Sequence, residues 1–152
     1  MPVLDNACLV RAVEPPRDWP GLIPELQVGD LQESVRFYRD AGFTVAYERP
    51  EEAFVMLVRD GVALMLESAD GPGRRLGEAS LERPFGRGIN LQIRVADADE
   101  LHRAITAAGC TPLTGLEDRW FRVGAREVGN REFVVSDPDG YLLRFFEDLG
   151  TR

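Results

Sequence analysis

The sequence predicts an α+β protein built from two consecutive βαβββ modules. The first observation is an internal repeat, because the segment 28–43 aligns without a gap with the segment 95–110. The two copies read VGDLQESVRFYRDAGF and VADADELHRAITAAGC, and an apolar alternating run precedes the aspartate of each copy. The second observation is that three strand-like runs, the last one introduced by an Asp-Gly turn, follow each copy. A repeated strand-helix unit of this kind predicts two similar modules.

The first module is predicted over residues 21–68, and its first strand at about 22–28. Asp30 is expected to cap the following helix, since Glu33 stands three residues later as in a capping box. One face of that helix carries residues at helical spacing, namely Ser34, Phe37, Tyr38 and Ala41. Gly42 is expected to end the helix. The remaining strands are predicted at 43–48, 54–58 and 62–66, with a turn at 59–61.

The second module is predicted over residues 89–149 and repeats this order. Its helix is expected to begin after Asp97 and to stop at Gly109. The strands that follow are predicted at 120–123, 133–135 and 141–146, with the turn DPDG at 137–140 before the last of them. Residues 69–88 are rich in Gly, Pro and Arg and are predicted to link the modules. Residues 1–20 hold four prolines and are predicted to form an N-terminal arm.

Composition narrows the possible partners. The chain has 152 residues, of which 44% are apolar, and this size is typical of one compact domain. Its 18 basic and 26 acidic side chains give a net charge of -8, which disfavours nucleic acid and anionic membrane and favours cationic ligands. The N-terminus lacks the pattern of a signal peptide and no run is long enough to span a membrane, so a soluble, cytoplasmic protein is predicted.

Catalytic and cofactor motifs are not apparent in the sequence. The single histidine, His102, lies next to the apolar stripe of the second helix and has no ligand or dyad partner at a recognisable spacing. The two cysteines, Cys8 and Cys110, lack metal-site spacing and are interpreted as reduced thiols. We therefore predict no catalytic residue and no cofactor.

The doubled pattern, opened by VGDLQESVRFYRDAGF and closed by DPDGYLLRFFE, resembles the vicinal oxygen chelate superfamily. This group includes glyoxalase I, extradiol dioxygenases, fosfomycin-modifying enzymes and bleomycin resistance proteins. Within it, the segment 120–150 looks most like the bleomycin-resistance branch, whose members bind a drug without metal chemistry. The resemblance covers about residues 21–149. It implies paired modules with curved mixed sheets, a pocket in their concavity and a homodimer.

The resemblance also implies where a metal would be bound. In the enzymes of the superfamily the ligands come from the first and last strands of each module, and these positions fall here on Ile23, Met65, Asn90 and Arg144. None is a usual ligand, and Arg144 would place a fixed positive charge at the ion. A register shift of two would instead bring in Glu67 for Met65, or Glu25 and Gln92 for the first-strand pair, still without an imidazole. We therefore predict no metal.

The remaining prediction is that the protein binds a small molecule. Aromatic faces with a few polar groups hold flat, partly polar ligands, and the aromatic candidates are Tyr47, Phe54, and either Trp120 or Phe121, which alternation places on opposite faces. Asn90 and Arg144 would suit a carboxylate or carbonyl of the ligand. The predicted ligand-binding residues are Tyr47, Phe54, Asn90, Trp120 and Arg144.

The function predicted from these observations is metal-free binding and sequestration of a small molecule, an antibiotic of the bleomycin type, by a homodimer. One alternative is a metal-dependent enzyme of the same superfamily, a lyase, isomerase or dioxygenase with an unusual ligand set. A second alternative is a structural or regulatory dimer without a small ligand.

Overall fold

The protein folds into two four-stranded mixed sheets, each accompanied by one helix. The computed structural model describes residues 19–73 and 81–152, so most of the predicted arm, with Cys8, and part of the predicted linker lie outside the described residues. The strand order is β1-β4-β3-β2 in the first sheet and β5-β8-β7-β6 in the second. Each sheet has one parallel pair, β1 with β4 or β5 with β8, and its other pairs are antiparallel. The predicted α+β class with two βαβββ modules is confirmed.

The elements follow the two modules in order. The first module comprises β1 (Glu25–Val28), α1 (Leu31–Asp40), β2 (Thr44–Arg49), a 3-10 turn (Pro50–Glu52), β3 (Phe54–Arg59) and β4 (Val62–Ser68). The second comprises β5 (Asn90–Arg94), α2 (Ala98–Ala107), β6 (Glu117–Val123), β7 (Arg126–Ser136) and β8 (Leu142–Thr151).

The helix ends are where the local sequence signals predicted them. Asp30 accepts a hydrogen bond from the backbone N–H of Glu33 at 2.9 Å, and Asp97 accepts one from that of Glu100 at 2.8 Å. Each such cap stabilises a helix by about 1 kcal/mol. Gly42 and Gly109 follow the last turns with φ of +87° and +94°, a left-handed conformation that glycine adopts without strain.

The strands of the second module are longer than predicted. β7 begins at Arg126 rather than at Phe133, and β8 continues to Thr151 rather than ending at 146. The extensions pair with each other and with β6, so cross-strand hydrogen bonds fix residues whose own sequence shows little apolar alternation.

Each sheet has a helix face, which packs against its helix, and a far face, which is turned away from it. The helix faces of both sheets, together with α1 and α2, form one apolar core that spans the two modules. Fully buried side chains of this core come from both modules and include Tyr38, Leu57, Phe133 and Phe145. Because α1 and α2 both pack into this core, no helix of the described residues covers the far faces.

The turn at residues 137–140 joins the two modules. Asp139, which is 1% exposed, accepts hydrogen bonds from the backbone N–H of Gly29 at 3.1 Å, the guanidinium of Arg83 at 2.9 Å and the hydroxyl of Ser34 at 3.5 Å. The Ser34 side chain is fully buried, whereas that of Arg83 is 60% exposed. We call Asp139 with these three partners the Asp139 clamp. It fixes the second module to the loop between β1 and α1.

Two tyrosines reinforce this joint. The hydroxyl of Tyr38 donates to Asp137 at 2.8 Å, and the hydroxyl of Tyr141 donates to the carbonyl of Gln27 at 3.0 Å. Burial raises the pKa of Asp137, and burial together with the two nearby aspartates raises the pKa of Tyr141 to about 12. The pKa of Tyr38 is raised well above its ordinary value, chiefly by burial and then by Asp137, so Tyr38 remains a hydrogen-bond donor at neutral pH.

Candidate ligand-binding faces

The far face of the first sheet is mainly apolar, although the carboxylate of Glu67, which is 6% exposed, lies beside Phe54 on it. Adjacent strands bring Tyr47, Met56 and Met65 side by side, since Tyr47 pairs with Met56 and Met56 with Met65. Their neighbours form a small apolar cluster that is separate from the main core. Its buried members are Ala46, Phe54, Met56 and Ala63, and Trp19, Ile23, Tyr47, Val58 and Met65 pack against them.

Tyr47 and Phe54, two of the predicted binding residues, lie together on this face. Their rings stack with centroids 5.9 Å apart and planes at 30°, and Trp19 meets Tyr47 edge-on at 6.3 Å. The guanidinium of Arg49 lies 3.8 Å from the centroid of Phe54 and is held by Glu52 at 2.7 Å. Phe54 is only 2% exposed, whereas Tyr47 is half-buried. Tyr47 is therefore the more accessible of the two rings.

The far face of the second sheet carries more polar side chains, although Phe121, Val134 and Phe146 also lie on it. Asn90 and Gln92 on β5 lie beside Leu142 and Arg144 on β8, and Arg144 pairs in turn with Val134 on β7. Asn90 and Arg144, two further predicted binding residues, therefore share one face. Asn90 and Gln92 also line a cavity of about 340 Å³ at the seam between β4 and β5. No hydrogen bond or ring contact among the described residues joins the Asn90 and Arg144 side chains to Tyr47 or Phe54.

Trp120 lies on the other face of the second sheet. It pairs with Gly129, against which its ring packs, and it shares the helix face with Asp118, whose carboxylate is bonded to Arg131 at 2.7 Å. The guanidinium of Arg152 covers the indole, 4.2 Å from its centroid. The structure thus does not bring Trp120 together with Arg144, and the aromatic residue of β6 on the face of Arg144 is Phe121. The sequence predicted that only one of the two could line a pocket, but it could not fix which one without the strand register.

Glu132 is a residue of the second far face that the sequence analysis did not identify. It is 4% exposed, pairs with Glu117 on β6 and Phe146 on β8, and lies 3.9 Å from the Nε of Arg144. The only sequence signal was its position one residue before Phe133, because a buried apolar side chain places its neighbour on the opposite face.

The four positions that match metal ligands do not fit a divalent ion. Ile23 and Met65 offer no oxygen or nitrogen donor in their side chains, and Arg144 brings a permanent positive charge beside Asn90. In the part of the chain that the structure describes, no group of three His, Cys, Asp or Glu side chains is placed to hold a metal. His102 packs its ring edge-on against Phe133, with centroids 5.0 Å apart, which is a structural contact.

Comparison with known proteins places the chain among proteins of the same architecture. The model of the Glyoxalase/Bleomycin resistance protein/Dioxygenase superfamily matches residues 22–145. A bleomycin resistance protein of Geobacillus stearothermophilus is 33% identical over 137 residues, which cover 84% of this chain and 96% of that protein. A bleomycin resistance protein of Staphylococcus aureus gives the same values.

Solved structures share the fold. TioX from Micromonospora sp. ML1 superposes with a TM-score of 0.64 at 23% identity, covering 84% of this chain and 98% of that one. A bleomycin-binding protein complexed with bleomycin superposes with a TM-score of 0.53 at 20% identity, with the same coverage.

Two βαβββ modules with unlike far faces define a paired-module α+β protein. The chain belongs to the glyoxalase/bleomycin resistance protein/dioxygenase superfamily, as the sequence resemblance predicted. Among the described residues, neither helix has the length or apolar character needed to cross a membrane.

Proposed function

We propose that this protein binds and sequesters an antibiotic of the bleomycin type, and that it does so as a homodimer without a metal. The observation that carries the proposal is the contrast between the two far faces. One presents the half-buried ring of Tyr47, stacked on the buried ring of Phe54, and the other presents the amide of Asn90 and the guanidinium of Arg144. A ligand with a planar apolar part and a polar part matches such a pair of surfaces. The 33% identical relatives that are named bleomycin resistance proteins support this choice of ligand.

A second copy is part of the proposal because no helix within residues 19–73 and 81–152 lies over the far faces. Residues on these faces can enclose a ligand only if another surface lies opposite, and a second copy supplies a polar face for each apolar one. The proposed ligand contacts are Tyr47, Asn90 and Arg144, and Phe54 supports the ring of Tyr47 from within the sheet. Trp120 is omitted because it lies on the helix face.

The superfamily also includes dioxygenases, so binding must be distinguished from catalysis. The permanent cation at Arg144 and the apolar side chains at Ile23 and Met65 favour binding over metal-assisted chemistry. A binding protein should return bleomycin chemically unchanged after incubation and release, which mass spectrometry measures directly.

The test is calorimetric titration of the purified protein with bleomycin, with its oligomeric state followed by analytical ultracentrifugation. We expect binding in the micromolar range or tighter and a dimer at micromolar protein concentration. Tyr47→Ala should weaken binding about tenfold or more, as truncation of an aromatic anchor does. Trp120→Ala is the matched control, because it removes a larger aromatic side chain from the opposite face and should change the affinity less than about twofold. If the wild-type protein does not bind bleomycin, or if Trp120→Ala is the more damaging change, the proposed site is refuted.

A further inference from the structure

Glu132 is a nearly buried carboxylate with few partners. Its side chain is 5% exposed, and the only hydrogen bond that it receives among the described residues comes from the amide of Asn130, at 3.4 Å to Oε2. Its other oxygen, Oε1, lies 3.9 Å from the Nε of Arg144, within ion-pair distance but beyond hydrogen-bond distance. Buried carboxylates ordinarily accept several hydrogen bonds, because an unmet acceptor in a low-dielectric site is costly. Oε1 of Glu132 therefore has room for another donor.

Arg144, next to Glu132, has a hydrogen-bond donor that is left without an acceptor among the described residues. Its Nε is buried and has no hydrogen-bond partner in the described part of the chain, while the side chain as a whole remains 32% exposed on the far face. A donor and an acceptor thus stand side by side on the proposed binding face without being bonded to each other. A ligand group that accepts from the exposed part of the Arg144 guanidinium and donates to the Glu132 carboxylate can engage the two residues together.

The charges of the pair restrict the kind of group. Glu132 and Arg144 neutralise each other, so an anionic group attracted by Arg144 would also meet the carboxylate of Glu132. An ammonium group attracted by Glu132 would likewise meet the guanidinium. A neutral group with a carbonyl oxygen next to an N–H avoids both repulsions, and specificity against the two kinds of ion follows from the pairing itself.

We propose that the Glu132 and Arg144 side chains together recognise a carboxamide group, or an equivalent neutral donor–acceptor edge, of the bound antibiotic. The inference rests on the proposed function, since it assigns a role within the same binding face. It makes Glu132 a specificity-determining residue and explains why a fixed cation stands on the polar face of an acidic protein. Arg144 is then a hydrogen-bond donor to a carbonyl rather than the partner of an anion.

The experiment is calorimetric titration of bleomycin against wild type, Glu132→Gln, Arg144→Gln and the double variant. Recognition of a neutral donor–acceptor group predicts that both single variants lose affinity, each by about tenfold or more, since each removes a hydrogen bond to a charged group. The double variant should lose no more than about the larger single loss, because the two residues act on one ligand group and their effects are not additive. Glu117→Gln is the matched control. Glu117 pairs directly with Glu132 but is 51% exposed, so this change removes the same charge and should alter the affinity less than about twofold.

The signs of the two effects separate the alternatives. If the bound group is a cation, Arg144→Gln should tighten binding; if it is an anion, Glu132→Gln should tighten binding; either result overturns the proposal. Equal losses in Glu132→Gln and Glu117→Gln also overturn it, because they would report only net charge. If the wild type binds bleomycin and all three variants of the pair bind it equally well, the inference and the contact proposed for Arg144 fail, while the binding of bleomycin stands. If the wild type does not bind, both fail. Thermal unfolding of each variant accompanies the titrations, and the double variant leaves neither charge buried alone should a single variant fold poorly.

Discussion

The Asp139 clamp should contribute far more to stability than the corresponding aspartate of the first module. Asp139 and Asp60 each stand before the glycine of the turn that leads into the last strand of their module. Asp139 is 1% exposed and holds the Gly29 amide, whereas the side chain of Asp60 is 70% exposed and lies 3.5 Å from Arg59. Replacement by Asn preserves the shape of both side chains, so the pair of variants compares a buried carboxylate with an exposed one at equivalent positions.

The expected magnitude follows from the partners. In Asp139→Asn the Gly29 amide, whose bond to Asp139 is partly buried, and the Arg83 guanidinium lose a charged acceptor, and hydrogen bonds to charged groups contribute about 1.5–3 kcal/mol. Because the Arg83 side chain is 60% exposed and water can replace its partner, we expect a loss of about 2 kcal/mol. Asp60→Asn removes only an exposed ion pair and should cost less than about 0.5 kcal/mol.

Equilibrium unfolding in urea, monitored by circular dichroism, measures both free energies of unfolding. A loss of about 2 kcal/mol should lower the urea midpoint by roughly 1 M without changing the slope, and should lower the melting temperature by roughly 4–8 °C. Losses that agree within about 0.5 kcal/mol for the two variants would refute the argument, because burial would then make no difference to the contribution of the carboxylate.

Three further outcomes are expected. Tyr38→Phe should lower the free energy of unfolding by about 1–3 kcal/mol, since it leaves a buried oxygen of Asp137 without its 2.8 Å donor; a loss below about 0.5 kcal/mol in urea unfolding would contradict this. Burial raises the pKa of Asp137 in the folded protein, so the folded state is favoured while this carboxyl group is protonated. That stabilisation is fully present below the ordinary pKa of aspartate and is lost as the pH rises through the raised pKa of Asp137. Urea midpoints measured across that range should show this decline, and Asp137→Asn should flatten it. Purified protein should contain no stoichiometric transition metal, and chelator should leave its melting temperature unchanged; a stoichiometric metal found by elemental analysis would contradict the proposed metal-free binding.

The parts of the fold that the sequence predicted are those that short-range chemistry determines. The caps at Asp30 and Asp97 and the glycines that follow the helices depend on residues within one turn, and all of them are found where they were expected. The repeat itself predicted two modules, because similar local signals build similar units. The beginning of β7 at Arg126 was missed because its first residues become a strand only through pairing with β6 and β8.

The candidate site was predictable only in part for the same reason. Alternation showed that Trp120 and Phe121 face opposite ways, but the choice between the faces required the register of β6 against β7. Glu132 lies in a stretch of mixed polar residues, and its near-complete burial arises from neighbouring strands rather than from its own segment. Side chains that a single helix or turn orients can be predicted from sequence, whereas those oriented by a sheet require the whole sheet.

The Asp139 clamp also breaks the internal symmetry of the molecule, and this bears on how the two modules move. At the matching joint, no hydrogen bond among the described residues joins the Asp60 side chain to the Ala96 amide, which corresponds to Gly29, and a cleft of about 400 Å³ lined by Asp60, Arg94 and Ala96 lies there instead. The Asp139 carboxylate therefore bonds the two modules to each other at one joint, and a cleft separates the equivalent groups at the other. Local opening should pivot at the joint that Asp139 bonds, so the Gly29 amide should exchange its hydrogen with solvent much more slowly than the Ala96 amide.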